Sequence, residues 1–225
     1  TGGIADVNSV TNVVGDASIT ATSTSTNRNI TGTFINRDLR AGGAVTINSQ
    51  TFVTANATVQ SNSNGDSGRE GITVTAVREE IGGNGAGAFV SGTAAGNRGN
   101  VTLSSALLNR GSTVIGAIAG NNVSVTTTAD TITVGAQGGT DVTSLTADGD
   151  ITLAGSNGVT FQGGNVVGNL STTSSGGPVA FTTADTTVGG AATVTSTTQS
   201  VSFDRSLAAQ GAVTVNGQTG VTVAG

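Results

Sequence analysis

The chain has no cysteine, histidine, methionine, tryptophan, tyrosine or lysine, and one proline in 225 residues. Each absence removes a class of chemistry. Without histidine there is no histidine-based serine triad and no ordinary general base near neutral pH. Without cysteine there is no thiol nucleophile, disulfide or thiolate zinc site, and without lysine there is no Schiff base or isopeptide cross-link. Charged residues make up only 9% of the chain, 13 acidic against 8 basic, for a net charge of −5. Nucleic acid is therefore not an expected partner. No apolar run reaches the roughly 18 residues a membrane-spanning helix needs, and the first residues lack the basic-then-apolar layout of a signal peptide.

What is present is 36 Gly, six Phe and an abundance of Thr, Val, Ala, Asn and Ser. Val and Thr suit a pleated, half-buried surface, and Gly and Asn suit tight turns. Apolar residues are 35% of the chain and alternate with Thr or Ser at period two, a pattern a disordered linker has no reason to keep. Asn64-Gly65, Asn84-Gly85, Asn157-Gly158 and Asn216-Gly217 are expected turns with positive φ.

The chain repeats itself. Val159-Thr160-Phe161, Val179-Ala180-Phe181 and Val201-Ser202-Phe203 recur at steps of 20 and 22 residues, and Val221-Thr222-Val223 follows 20 later. Each is preceded by an opening stretch: Ile151-Thr152-Leu153, Leu170 after Gly168-Asn169, Ala192-Thr193-Val194 and Val213-Thr214-Val215. A third short stretch follows at Val166-Val167, Thr187-Val188 and Ser206-Leu207. Earlier openers stand at 17–19, 44–47, 71–74, 100–103 and 122–125. With Ser18 leading the first opener, the steps are 27, 27, 29, 22, 28, 19, 22 and 21.

Such a recurrence predicts a solenoid. The expected fold is all-β, a parallel β-helix with three short strands per coil and nine or ten coils of 19–29 residues, stacked about 4.8 Å apart. Residues 1–225 read as one continuous domain, with looser coils and turn insertions in 1–120 and regular coils in 121–225. The Phe rings are expected to form an internal ladder. Both ends look patterned and uncapped, which suggests a segment of a longer protein whose neighbours are further coils or copies stacked end to end.

The runs Gly99-Asn100-Val101-Thr102-Leu103, Gly149-Asp150-Ile151-Thr152-Leu153-Ala154-Gly155 and Gly211-Ala212-Val213-Thr214-Val215 resemble the repeats of filamentous-haemagglutinin-type and autotransporter-like bacterial surface adhesins. The resemblance spans most of the chain. It implies a right-handed β-helix serving as the shaft of a secreted protein at the bacterial cell surface, with host glycan or a surface receptor as a potential partner.

Candidate sites are few, and no catalytic, cofactor or metal residue is assigned. Asp148 with Asp150, or Glu79 with Glu80, offers a carboxylate pair for a polysaccharide-cleaving β-helix enzyme. Both pairs read more simply as polar turns, and no Trp or Tyr supplies a sugar platform. Asn62 to Glu70 alternates oxygen side chains as calcium prefers, yet departs from the calcium-loop pattern and reads as an inserted turn. The arginines at 28, 37, 40, 69, 78, 98 and 110 crowd the first half, mixed with acids such as Asp38 and Glu79, and only Arg205 follows. Asn29, Asn56, Asn100, Asn122 and Asn169 open glycosylation triplets, three of them at coil openers.

The function expected from all this is a non-catalytic structural shaft. A glycan- or receptor-binding module using inserted loops at 22–42, 60–71 and 80–99 is the alternative. Ice binding through Thr arrays ranks last, because Thr20-Ala21-Thr22, Thr31-Gly32-Thr33, Thr73-Val74-Thr75 and Thr131-Ile132-Thr133 do not recur at one coil position.

Overall fold

The computed structural model describes residues 3–25, 31–65, 68–78, 81–82, 87–106, 113–115, 117–128, 131–134 and 145–224. Within them every regular element is a β-strand, and every strand pairing is parallel. The chain is a parallel β-helix with three strands per coil.

One side is a nine-stranded sheet of five-residue strands, from Ala17–Ala21 through Val45–Ser49 and Ile72–Ala76 to Val213–Gly217. All nine openers expected from the sequence lie in it. A second side stacks the Phe-bearing strands Gly158–Phe161, Val179–Phe181 and Val201–Phe203 in a six-stranded sheet. A four-stranded sheet beginning at Ile4–Val7 continues that side toward the N-terminus, with Ile81–Gly82 neighbouring Thr113–Ile115. The third side is a nine-stranded sheet of short strands from Thr11–Val13 to Leu207–Ala209. At about 4.8 Å per coil, nine coils make a rod roughly 43 Å long.

The first coil departs from the expected register. Ala17, not Ser18, pairs with Val45, so the first step is 28 residues. The reason is the pleat: a one-residue slip would turn buried Ala17 and Ala21 outward and the exposed Ser18 and Thr20 into the core.

Residues one, three and five of each opener point inward. The first and third are mostly Val, Ile or Leu, as at Val45 and Ile47, Ile72 and Val74, Ile151 and Leu153, all buried. The fifth is small, Ala, Ser, Thr or Gly, because the chain turns a corner there toward the Phe side. Where it is Ser, the hydroxyl serves the corner. Ser174 Oγ accepts from the Gly177 amide at 3.1 Å, and Ser196 Oγ donates to the Gly177 carbonyl at 2.8 Å while accepting from the Gln199 amide at 3.1 Å.

The expected Phe ladder is present. Phe161 pairs with Phe181 and Phe181 with Phe203, with ring centroids 5.3 and 4.9 Å apart and the upper pair stacked. Phe34 and Phe52 meet edge-on at 5.2 Å elsewhere, with Phe52 buried in the corner before strand Val53–Ala55. Gly65 and Gly158 have the positive φ expected of their turns, +72° and +147°. Gly217 does not: it closes strand Val213–Gly217, and the positive φ falls on Gly220. Asn84-Gly85 lies outside the described residues.

One buried position breaks the interior pattern. Thr172 occupies the slot filled by Leu153 in the coil before and Val194 in the coil after, is fully buried, and its hydroxyl has no hydrogen-bond partner. An unsatisfied buried hydroxyl costs about 1–3 kcal/mol. Thr172→Val keeps the shape and removes that penalty, so it is expected to raise stability by about 1–3 kcal/mol. A thermal or denaturant midpoint at or below that of the parent would mean that the hydroxyl is satisfied in solution.

Candidate functional site

Of the carboxylates that the sequence offers for catalysis, Asp148 and Asp150 are engaged in holding coils together. Asp148 accepts from Arg98 Nη1 at 2.8 Å and, through its other oxygen, from the Gly96 amide at 2.9 Å. These contacts pin the loop after strand Ala88–Ser91 to a coil 50 residues further on. Asp150 Oδ1 accepts from both the Asn169 amide, at 2.7 Å, and its Nδ2, at 3.1 Å. Two neighbouring acids thus do two unrelated structural jobs, and no substrate-facing pair results. Glu79 and Glu80 lie outside the described residues.

Asp150 belongs to a ladder that the sequence alone does not announce. Before five of the nine openers, at Asp16, Asn100, Asn122, Asp150 and Asn169, the preceding residue lends its side-chain oxygen to the backbone amide of the same place in the next coil. Asn100 Oδ1 accepts from Asn122 N at 3.2 Å, Asn122 Oδ1 from Asp150 N at 2.9 Å, and Asn169 Oδ1 from Ala191 N at 2.9 Å. Asp16 does the same for Ala44, at 2.9 Å. Each bond satisfies an amide at a corner where the sheet ladder is interrupted. A side chain reaching an amide one coil away also fixes the corner register.

Three of the glycosylation triplets fall on this ladder. The Nδ2 of Asn122 and that of Asn169 are directed to Asn100 Oδ1 and Asp150 Oδ1, at 3.3 and 3.1 Å. Asn56 Nδ2 likewise donates to Asn36 Oδ1 at 2.9 Å. Asn29 lies outside the described residues.

The stretch from Asn62 to Glu70 is an inserted corner loop; Asp66 and Ser67 lie outside the described residues. Asn62 is fully buried, with φ +49°, and its Nδ2 donates to the carbonyls of Gly68 at 2.5 Å and Asn97 at 2.9 Å. An amide turned to carbonyls presents its donors, the wrong end for a cation. Ser61 and Ser91 both donate to the Glu70 carbonyl, at 2.7 and 2.8 Å, so the loops 62–71 and 92–100 sit side by side on one corner. Among the described residues no three His, Cys, Asp or Glu side chains cluster as metal ligands would.

The remaining inserted segments are shorter than the sequence suggests. Residues 22–42 contain strands Gly32–Ile35 and Leu39–Ala41, and 80–99 contain Ile81–Gly82 and Ala88–Ser91. Strands of two to four residues in polar sequence leave too little period to see. The arginines are dispersed: Arg40 pairs with Asp38 at 2.9 Å, Arg78 reaches the Thr24 carbonyl at 3.3 Å, and Arg205 reaches that of Thr183 at 3.1 Å. Arg28 and Arg110 lie outside the described residues.

The outward positions of the opener sheet were not singled out as a site by the sequence, and they form its most regular surface. Position two is Ser or Thr in all nine coils, in register from Ser18 through Thr73, Thr102, Thr152 and Thr193 to Thr214. Position four is Ser or Thr in six coils, with Asn48, Ala154 and Asn216 in the others. No family model, curated protein or solved structure matches the chain.

Proposed function

We propose that the chain is a non-catalytic shaft segment of a secreted bacterial surface fibre or adhesin. The observation that carries this reading is the continuity of the stack. On two sides every coil pairs its strand with that of the next, the third side is two sheets that adjoin at Ile81–Gly82 and Thr113–Ile115, and a single core of Val, Ile, Leu, Ala and Phe runs from Ala17 to Phe203. Strand pairing along the axis and a dry interior give stiffness without disulfides, which the chain cannot form. The corner polar groups favour the same reading, since Asp148, Asp150 and the Asn ladder are spent on coil-to-coil bonds. Placement at the bacterial surface rests on the resemblance of the Gly-Asn-Val-Thr-Leu type runs.

A second reading places a glycan or receptor on the corner built by loops 62–71 and 92–100. The pinning of the second loop by Arg98 and Asp148 favours it, because a preorganised loop binds at lower entropic cost. A screen of the intact protein against glycans and polysaccharides, reading both retention and release of reducing ends, separates these readings. The shaft predicts neither. Retention abolished by Ala95→Arg, at an exposed position of that loop, would make the protein a binding module, and released reducing ends would make it an enzyme.

A further inference from the structure

The outer surface of the opener sheet has three properties not found together on the other two sides. First, it is periodic in two directions: about 4.8 Å from coil to coil and, between positions two and four of one strand, roughly 6.6 Å. Second, it carries no charge, as none of its outward residues in nine coils is Asp, Glu or Arg, whereas the short-strand side has Arg40 at an outward position. Third, its hydroxyls are not used by the protein: those of Thr73, Thr102, Thr152 and Thr193 make no bond to another residue, and all four residues are exposed.

A surface that repeats by translation is complementary to a partner that repeats by translation. A single sugar or a folded protein would meet the same position-two hydroxyl nine times over and gain nothing from the repetition. Among repeating partners, a crystalline polysaccharide is ordinarily gripped by aromatic platforms, and this face has none. A fixed lattice of hydroxyls hydrogen-bonds water at set spacings, while the Thr methyls between them leave adjoining water caged rather than oriented by charge. The coil spacing is also close to the in-plane repeat of hexagonal ice. We propose that this face, from Ser18 and Thr20 to Thr214 and Asn216, binds ice. Of the four Thr triplets named from the sequence, Thr73-Val74-Thr75 alone lies wholly on it. Thr131 and Thr133 face outward on the Phe side, and Thr31 is buried, sharing a 2.7 Å hydrogen bond with Thr51. The inference goes beyond the shaft reading, which stands or falls without it.

The test is thermal hysteresis, with partition of the protein into slowly growing ice, for the parent, for a T102R/T152R double variant on the face, and for S202R outward on the Phe side. Circular dichroism checks that all three keep the β fold. The expected result is hysteresis and inclusion in ice for the parent and S202R, both lost in T102R/T152R. Exclusion of the parent from ice, or equal hysteresis in all three, overturns the proposal. It is equally overturned if T102R/T152R instead abolishes retention on crystalline polysaccharide, or pairing of two copies in the ultracentrifuge, while the parent leaves ice growth unchanged.

Discussion

Phe181→Ala is expected to destabilise the protein by about 3–5 kcal/mol, the range for truncating a fully buried aromatic ring. Phe181 is 1% exposed and sits in the middle of the ladder, between Phe161 at 5.3 Å and Phe203 at 4.9 Å. Its removal leaves a cavity bounded by two rings whose backbones are fixed by strand pairing, so the site collapses little. In a solenoid the damage is local first, because each coil is held mainly by its neighbours. Hydrogen exchange should therefore show the coils carrying Phe161, Phe181 and Phe203 losing protection before those around Val45. Phe34, half-buried at the other end, should cost less when truncated. A denaturant midpoint for Phe181→Ala close to that of the parent would show that the ring is not packed in the core.

Gly177→Ala is the second large effect, and its origin is steric rather than apolar. A Cβ on Gly177 would lie 1.6 Å from the carbonyl oxygen of Asn157 and 2.2 Å from its carbon, backbone atoms of the coil before. Gly177 is also held from both sides, its amide by Ser174 Oγ and its carbonyl by Ser196 Oγ. The methyl can be admitted only by parting two coils at their corner, which breaks those bonds as well. Overpacking costs about 1–3 kcal/mol and occasionally more, and a clash with backbone fixed by strand pairing belongs at the upper end. Gly15→Ala is the control, since nothing lies within 4 Å of its added carbon and its φ is not positive. Thermal midpoints should fall steeply for the first and stay level for the second. Similar midpoints would mean that the corner has room the structure does not show.

The openers were legible because five residues with three inward positions make a period that survives variable spacing. Ile72-Thr73-Val74 and Ile151-Thr152-Leu153 are recognisable wherever they fall. The Phe ladder was legible because its three strands share both the motif and nearly equal steps. Strands such as Ile81–Gly82 and Leu39–Ala41 were not, because so few residues carry no period and their place is set by the coils on either side. The Asn and Asp ladder left a signal, a polar residue immediately before the opener at 16, 100, 122, 150 and 169. Read one at a time, those residues look like turns or glycosylation triplets. Only the register shows that each bonds to the next. The hydroxyl face was hidden in a similar way. Its Thr and Ser occupy the second place of every opener, but triplets of Thr drew attention to residues on other sides. The carboxylates misled for a different reason: Asp148 and Asp150 are two apart in sequence, yet one faces the loop at Gly96 and the other the corner of the coil at Asn169.

Pulling the protein between its ends by single-molecule force spectroscopy tests the shaft most directly. The register steps run from 19 to 29 residues per coil. If coils are the mechanical units, the chain should lengthen in successive increments of roughly 65–100 Å, taking about 3.4 Å per extended residue. Increments of that size, each needing renewed force, would support a rod whose coils bear load one after another. A single extension of the whole chain at low force, with no coil-sized step, would contradict it.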